Sequence, residues 1–259
     1  MTADDIISGL KTQFIGHRIY AYQQTRSTND VALYLGANGA PDGVLIIAEY
    51  QTAGRGRLSR SWLSPPGCSI LASVLLRPKI QPYQMPVVTL LAAAAVANSI
   101  RLITKLPAKI KWPNDVVIDG KKVCGILTEM GIEKGRENFL VIGIGINVNI
   151  EKDSFPLSLK STATSLSILL GYEISRIQLL QQFLLDCENR YILLNDGNLM
   201  PIISEVRSLS SILGCQVRVE CDEKVTVGQV VDIDEDGALV LRSGMGKLEK
   251  FMTGNVALI

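Results

Sequence analysis

The alternation of apolar and polar positions divides the chain into strands and helices in an irregular order. Residues 44–48 (VLIIA) and 69–76 (SILASVLL) are short apolar runs that predict strands. From residue 85 to about residue 104 the pattern predicts a helix, with Pro86 tolerated in the first turn and alanines through the middle. Residues 116–118 and 123–130 predict a hairpin closed by Asp119-Gly120, a dipeptide suited to a tight two-residue turn. A further strand is expected over 139–148, and Ser175-x-x-Gln178 has the form of a capping box opening a helix that runs to about residue 194. Strands with interspersed helices and no regular βαβ repeat predict an α+β fold.

Past residue 208 the pattern changes. Residues 216–220, 225–233, 238–241 and 248–252 alternate like short strands, with Asp236-Gly237 and Ser243-Gly244 supplying turns. A large unit over 1–208 followed by a small β-barrel over 209–259 is therefore expected. The tail carries five basic residues against eight acidic ones (220, 222, 223, 232, 234, 235, 236 and 249), net −3, which leaves +4 for 1–208. An acidic surface argues against a nucleic-acid module.

Composition narrows the possible functions. With 47% apolar residues and a net charge of +1 over 259 residues, the chain is not disordered. Its longest apolar stretch, 90–97, falls far short of the ~20 residues of a membrane span. The N-terminus, MTADDIISGL, lacks the basic-plus-apolar pattern of a secretion signal. Five cysteines without a CxxC pair read as reduced thiols, so a cytoplasmic protein with no membrane partner is expected. The lone histidine, His17, argues against a Ser-His-Asp hydrolase or a His-rich zinc site, and no protein metal site is predicted. Chemistry must then run on Lys, Arg, Asp, Asn and backbone amides.

Four segments carry such groups. Gly54-Arg55-Gly56-Arg57-Leu58-Ser59-Arg60-Ser61-Trp62 combines three arginines, no acid and interleaved glycines, a composition able to cradle an anion. The GxxxxGK[ST] pattern is absent, so it is not a P-loop. Lys111-Trp112-Pro113-Asn114-Asp115 precedes the hairpin, and Lys121-Lys122 follows its turn. Strand period puts Lys122 on one face with Cys124, Ile126 and Met130, and Lys121 on the other with Val123 and Leu127. Both faces are largely apolar, so periodicity leaves open which lysine points inward. Gly143-Ile144-Gly145-Ile146-Asn147 lacks the third glycine of a dinucleotide fingerprint; its glycines serve either close ligand approach or packing alone. Thr25-Arg26-Ser27-Thr28-Asn29-Asp30 has the signature of a helix N-terminus, which is also an anion site.

Taken in order, Ser27-Thr28-Asn29, Glu49-Tyr50-Gln51-x-Ala53-Gly54-Arg55-Gly56-Arg57, Lys111-Trp112-Pro113-Asn114-Asp115, Lys122-x-x-Gly125-Ile126-Leu127 and Gly143-x-Gly145-Ile146-Asn147 resemble the biotin protein ligases over nearly the whole chain. The resemblance implies a central mixed sheet with flanking helices, like that of class II synthetases and lipoate ligases, plus an SH3-like C-terminal barrel. It also implies two reactions: biotin and ATP form biotinyl-5′-AMP, and a lysine of a biotin carboxyl carrier domain takes the biotinyl group. The substrates would be biotin and ATP, with Mg2+ on the nucleotide, and the protein partner a biotin-dependent carboxylase such as acetyl-CoA carboxylase.

Carried over by position, Ser27, Thr28, Asn29 and Gln51 match the shell around the biotin ureido ring, joined at the biotin site by Gly54, Arg55, Gly56, Arg57 and Gly125. Lys122 matches the lysine on the biotin carboxylate and phosphate, so the resemblance supplies the choice that periodicity left open. Arg57, Arg60, Trp62, Asn114, Lys122 and Asn147 match the ATP side. Lys122, Arg57, Asp115 and Lys111 form the expected catalytic set, with Asp115 either helping to deprotonate the acceptor lysine or assisting magnesium. Leu58 and Ser59 depart from the family, many members of which carry arginine and glycine there. Some members also repress the biotin operon through an added winged helix; about 16 residues precede the first matching strand here, so a ligase without a DNA partner is expected. Many relatives dimerise, which makes a homodimer possible. The rivals are a lipoate ligase, sharing fold and adenylation chemistry, and a non-catalytic biotin-binding module.

Overall fold

The computed structural model describes residues 1–133, 136–221, 224–244 and 246–259. Its frame is a seven-stranded mixed sheet built from β1 (Ile19–Thr25), β2 (Val44–Gln51), β3 (Ser69–Leu76), β4 (Lys109–Lys111), β5 (Asp115–Ile118), β6 (Lys121–Glu133) and β7 (Arg136–Asn147). The strand order is β1-β2-β3-β7-β6-β5-β4, with β1 and β2 parallel and every other pair antiparallel. The two apolar runs and the long central strand lie where their hydrophobicity predicts. Two short or half-exposed edge strands, β1 and β4, lack that signal.

Helices cover the sheet unequally. A five-residue helix, α1 (Ala3–Ile7), opens the chain, and α2 (Thr28–Ala37) covers part of one face. On the other face α3 (Met85–Thr104) packs centrally, backed by α5 (Arg176–Asn195) and α6 (Met200–Leu209), while α4 (Leu166–Leu170) is a single short turn. α3 is apolar and long enough to cross a membrane by composition, but its residues 87–97 are almost entirely buried, so its hydropathy serves the core. Of the capping box expected at α5, the structure shows one half: the Gln178 N–H donates to Ser175 Oγ at 3.2 Å.

The Asp119-Gly120 turn forms as expected, with positive φ at both residues (49° and 75°). The face assignment of Lys122 does not hold. In the β5–β6 ladder Val116 pairs with Cys124 and Val117 with Lys122, so Val123 is an extra residue in a β-bulge. The bulge shifts the alternation by one: Cys124 and Ile126 face the α3 core, while Lys122 lies on the opposite face with Gly125.

The tail forms a five-stranded antiparallel sheet of β8 (Gln216–Cys221), β9 (Lys224–Ile233), β10 (Leu239–Ser243), β11 (Leu248–Phe251) and β12 (Asn255–Leu258). Its order is β11-β10-β9-β8-β12, so the edge strands do not pair and the expected barrel is not closed by a ladder. β11 and β12 are only four residues each, which leaves little edge to pair. The sheet is nevertheless strongly curled. Phe251 and Asn255 are four steps apart, at most ~14 Å, whereas five flat strands would span ~19 Å. The acidic positions 222 and 223 lie outside the described residues. One continuous core joins this sheet to the rest, reinforced by Trp112 Nε1 donating to Gly237 O (3.0 Å) and the Arg207 guanidinium on Asp232 and Ile233 O.

Candidate active site

The uncovered part of the sheet face that carries α2 forms the site. Side chains alternate across β6 and β7, so Gly125, Gly143 and Gly145 point to this face while Ile126, Ile142, Ile144 and Ile146 point to α3. A Cβ on Gly143 would overlap the Asn29 amide, and one on Gly145 the Trp62 indole. The glycines therefore let two large polar-edged side chains lie flat on the sheet.

One wall comes from the start of α2. The helix starts within the 25–30 segment, as its signature predicts; Ser27 is the N-cap residue, but its hydroxyl makes no capping bond. Instead the Thr28 N–H and Oγ1 both donate to Gln51 Oε1 (2.7 and 3.0 Å), so β2 caps the helix. Ser73 Oγ on β3 lies 2.7 Å from Thr28 Oγ1 and 2.6 Å from Asn29 Oδ1; its single proton can serve only one of them. Asn29 Nδ2 donates to Leu127 O (3.2 Å) and to Glu129 Oε2 (2.7 Å). Ser27, Thr28 and Asn29 are all buried, and these bonds hold Thr28 and Asn29 in one orientation.

The arginine-glycine segment forms a miniature hairpin over this wall. The Trp62 N–H donates to Gly54 O, Gly56 N–H to Arg60 O, and Arg60 N–H to Arg57 O (2.9, 2.7 and 3.2 Å). Its tip is Leu58-Ser59, both with positive φ (54° and 58°), a conformation glycine adopts without strain. With Ser59 rather than glycine at this position, the turn is formed but strained. Arg57 donates to Asn114 Oδ1 (3.0 Å) and to Thr253 Oγ1 (2.7 Å), tying the hairpin to the KWPND segment and to the C-terminal sheet. Burial pulls its pKa below the ordinary arginine value, Asp115 opposes that shift, and Arg60 adds to it. Arg55 turns elsewhere, onto Glu129 and Asp30.

Lys122 pairs with Asp115 at 2.6 Å and lies 5.6 Å from the Trp62 ring centroid. Two cavities meet here. A cleft of about 50 Å³ is lined by Ser27, Thr28, Asn29, Gln51, Gly125 and Gly143 among others, and a cavity of about 420 Å³ by Arg60, Lys111, Asp115 and Asn147 among others. Gly56, Arg57, Trp62, Asn114 and Lys122 line both. The first is far below the few hundred Å³ of an ordinary ligand pocket, because the hairpin and Trp62 lie on the glycine bed. Asn147 Nδ2 donates to Thr164 O (3.0 Å), which fixes the floor of the larger cavity.

Most of the residues singled out by sequence converge on these two cavities, and Gly54 supports them as the buried hairpin base. Arg60 stands at the exposed rim, and Lys111 is half-buried beside Asp115 in the β4–β5 ladder. Sequence reading missed Ser73, Glu129 and Thr253, and named Asp30 only as part of the helix N-terminal signature. Ser73 and Glu129 had a signal, since each is a polar residue within a largely apolar strand. Among the described residues no group of three His, Cys, Asp or Glu side chains could hold a metal ion.

This fold and site define the class of biotin and lipoate ligases: residues 20–147 match the biotin/lipoate A/B protein ligase family model, and residues 212–258 match the biotin protein ligase C-terminal domain. A bifunctional ligase/repressor BirA from Bacillus spizizenii is 40% identical over 258 residues, covering 100% of this chain and 79% of that protein. The biotin--[acetyl-CoA-carboxylase] ligase of Mycobacterium tuberculosis is 36% identical, covering 91% of this chain and 89% of the relative. Among solved structures, the biotin protein ligase from Aquifex aeolicus in complex with biotin and ATP superimposes with a TM-score of 0.82 at 28% identity, covering 94% of this chain and 99% of that one. The chain belongs to the biotin protein ligase family.

Proposed function

We propose that the chain is an ATP-dependent biotin protein ligase that acts in two steps at the junction of its two cavities. One observation carries this reading: Lys122 and Arg57 line both the narrow cleft and the larger cavity, so two anions bound side by side would share the same cations. The narrow cleft, with the Thr28, Asn29 and Gln51 amide and hydroxyl groups, takes biotin. The larger cavity, with Trp62, Asn114 and Asn147, takes ATP, whose magnesium arrives ligated by the triphosphate.

In the first step a biotin carboxylate oxygen attacks the α-phosphorus and pyrophosphate leaves. Charge builds on the phosphoryl oxygens beside Lys122 and Arg57. A unit charge pair at ~4 Å is worth about 4 kcal/mol at an effective dielectric near 20, so two cations there lower the barrier substantially. In the second step the ε-amine of the acceptor lysine attacks the adenylate carbonyl carbon and AMP leaves. Asp115, released from Lys122 as that cation turns to the phosphate, accepts the proton of the incoming ammonium. Lys111 adds a second cation beside Asp115.

The acceptor in this reading is the biotin domain of a biotin-dependent carboxylase, by analogy with the relative named for acetyl-CoA carboxylase. Residues 1–208 carry the chemistry, and 209–259 contribute Thr253 to the Arg57 anchor. The test is pyrophosphate release from Mg-ATP with biotin or lipoate. Release with biotin alone is expected. Release with lipoate alone, or binding of biotin without release, would overturn the assignment.

A further inference from the structure

The hairpin over the cleft is gripped at its base by two acidic groups that the ligation chemistry does not use. Arg55 forks onto Glu129, Nη1 to Oε1 at 2.8 Å and Nη2 to Oε2 at 2.9 Å, and its Nη2 also lies 2.7 Å from Asp30 Oδ1. Such bidentate pairs fix direction as well as distance. The two acids come from different elements: Glu129 stands on β6, and Asp30 lies in the first turn of α2. Glu129 has a second task, because its Oε2 accepts from Asn29 Nδ2 at 2.7 Å, which turns the amide so that Oδ1 faces Ser73 Oγ.

We propose that Glu129 and Asp30 form an anionic clasp for Arg55 that holds the 54–62 hairpin over the cleft, making Glu129 a positioning residue for ligation. The inference rests on the ligase reading and deepens it. Arg55 then serves the cleft through its backbone and through where its side chain anchors the arm, rather than by donating its guanidinium to biotin. The hairpin bonds from Gly54 to Trp62 carry that anchorage to Arg57 and Trp62. One carboxylate thus sets both the hairpin and the polar wall, so closure and orientation of the cleft depend on the same group.

Glu129→Gln keeps an oxygen for Asn29 and removes the charge that holds Arg55; Asp30→Asn removes the second arm at an exposed position. In protein without added biotin or ATP, tryptic cleavage after Arg57 and Arg60 is expected to quicken about fivefold in Glu129→Gln and further in the double variant, the scale of a partly exposed ion pair. The biotin KM for pyrophosphate release should rise by a similar factor, and kcat should fall by no more than that factor, because the grip acts on the cleft directly and on Arg57 only through the hairpin. Arg55→Gln removes both arms, so it should match the Glu129→Gln/Asp30→Asn double variant and add nothing to it. A folded Glu129→Gln with unchanged cleavage and KM, a further effect when Arg55→Gln is added to the double variant, or a fall in kcat alone would overturn the clasp. The proteolysis comparison involves no biotin, so it still decides the clasp if the wild type releases no pyrophosphate with biotin and the ligase reading itself fails.

Discussion

The two faces of β6 and β7 differ by a single residue step yet do opposite work. Toward α3 the strands present Cys124, Ile126, Ile142, Ile144 and Ile146, all buried in one continuous core. Toward α2 they present Gly125, Gly143 and Gly145, on which Asn29, Trp62 and Lys122 lie. The first face is filled by its own side chains, whereas the second is kept bare so that side chains from distant segments can arrive. Stability therefore resides on one side of these strands and chemistry on the other, and substitutions on the two sides should separate.

The largest effect is expected at Gly143→Val. Its side chain would push Asn29 off the sheet, and biotin affinity should fall on the order of a hundredfold, about 3 kcal/mol for an overpacked site, measured by calorimetry on folded protein. On the other face, Ile142→Ala, at a position lining neither cavity, should cost about 3 kcal/mol of stability in denaturant unfolding while the biotin KM of the folded enzyme stays unchanged. Equal loss of affinity in both would erase the distinction.

Arg57→Gly removes the bonds to Asn114 and Thr253 and should let the adenylate escape about tenfold faster, the scale of one charge-assisted hydrogen bond. Bystander proteins would then be biotinylated, as read by streptavidin blotting; equal labelling by wild type would contradict this. Ser59→Gly should tighten the hairpin by about 1 kcal/mol by relieving a left-handed residue, seen as slower tryptic cleavage after Arg57. The smallest effect concerns acid. Burial raises the Glu49 pKa, but the N-terminal ammonium and Arg176 outweigh it and hold the carboxyl below its ordinary value. A depressed folded pKa gives stability that is present above the unfolded pKa, near 4.3, and lost as pH falls through the folded one. Glu49→Gln should therefore flatten the acid limb of a melting-temperature profile below about pH 4.3.

How much of this was legible beforehand depended on how local each feature was. Strands β2 and β3 and helix α3 follow from apolar runs and an alanine-rich stretch, and the Asp119-Gly120 turn from its own two residues. β1, with the sequence IYAYQQT, hid because an edge strand needs only half an apolar face. The family motifs brought most of the site residues to one place, yet periodicity put Lys122 on the wrong face. A one-residue bulge at Val123 leaves no mark in an apolar strand. The Arg55–Glu129 pair joins positions 74 residues apart, and only the assembled sheet makes them neighbours.

The central claim is that two bound anions meet at Lys122 and Arg57, and it is tested most directly by rapid-quench detection of biotinyl-5′-AMP in wild type and Lys122→Ala. Wild type should form the adenylate from biotin and Mg-ATP, while folded Lys122→Ala binds biotin and forms none. Adenylate appearing at the wild-type rate in Lys122→Ala would contradict the account.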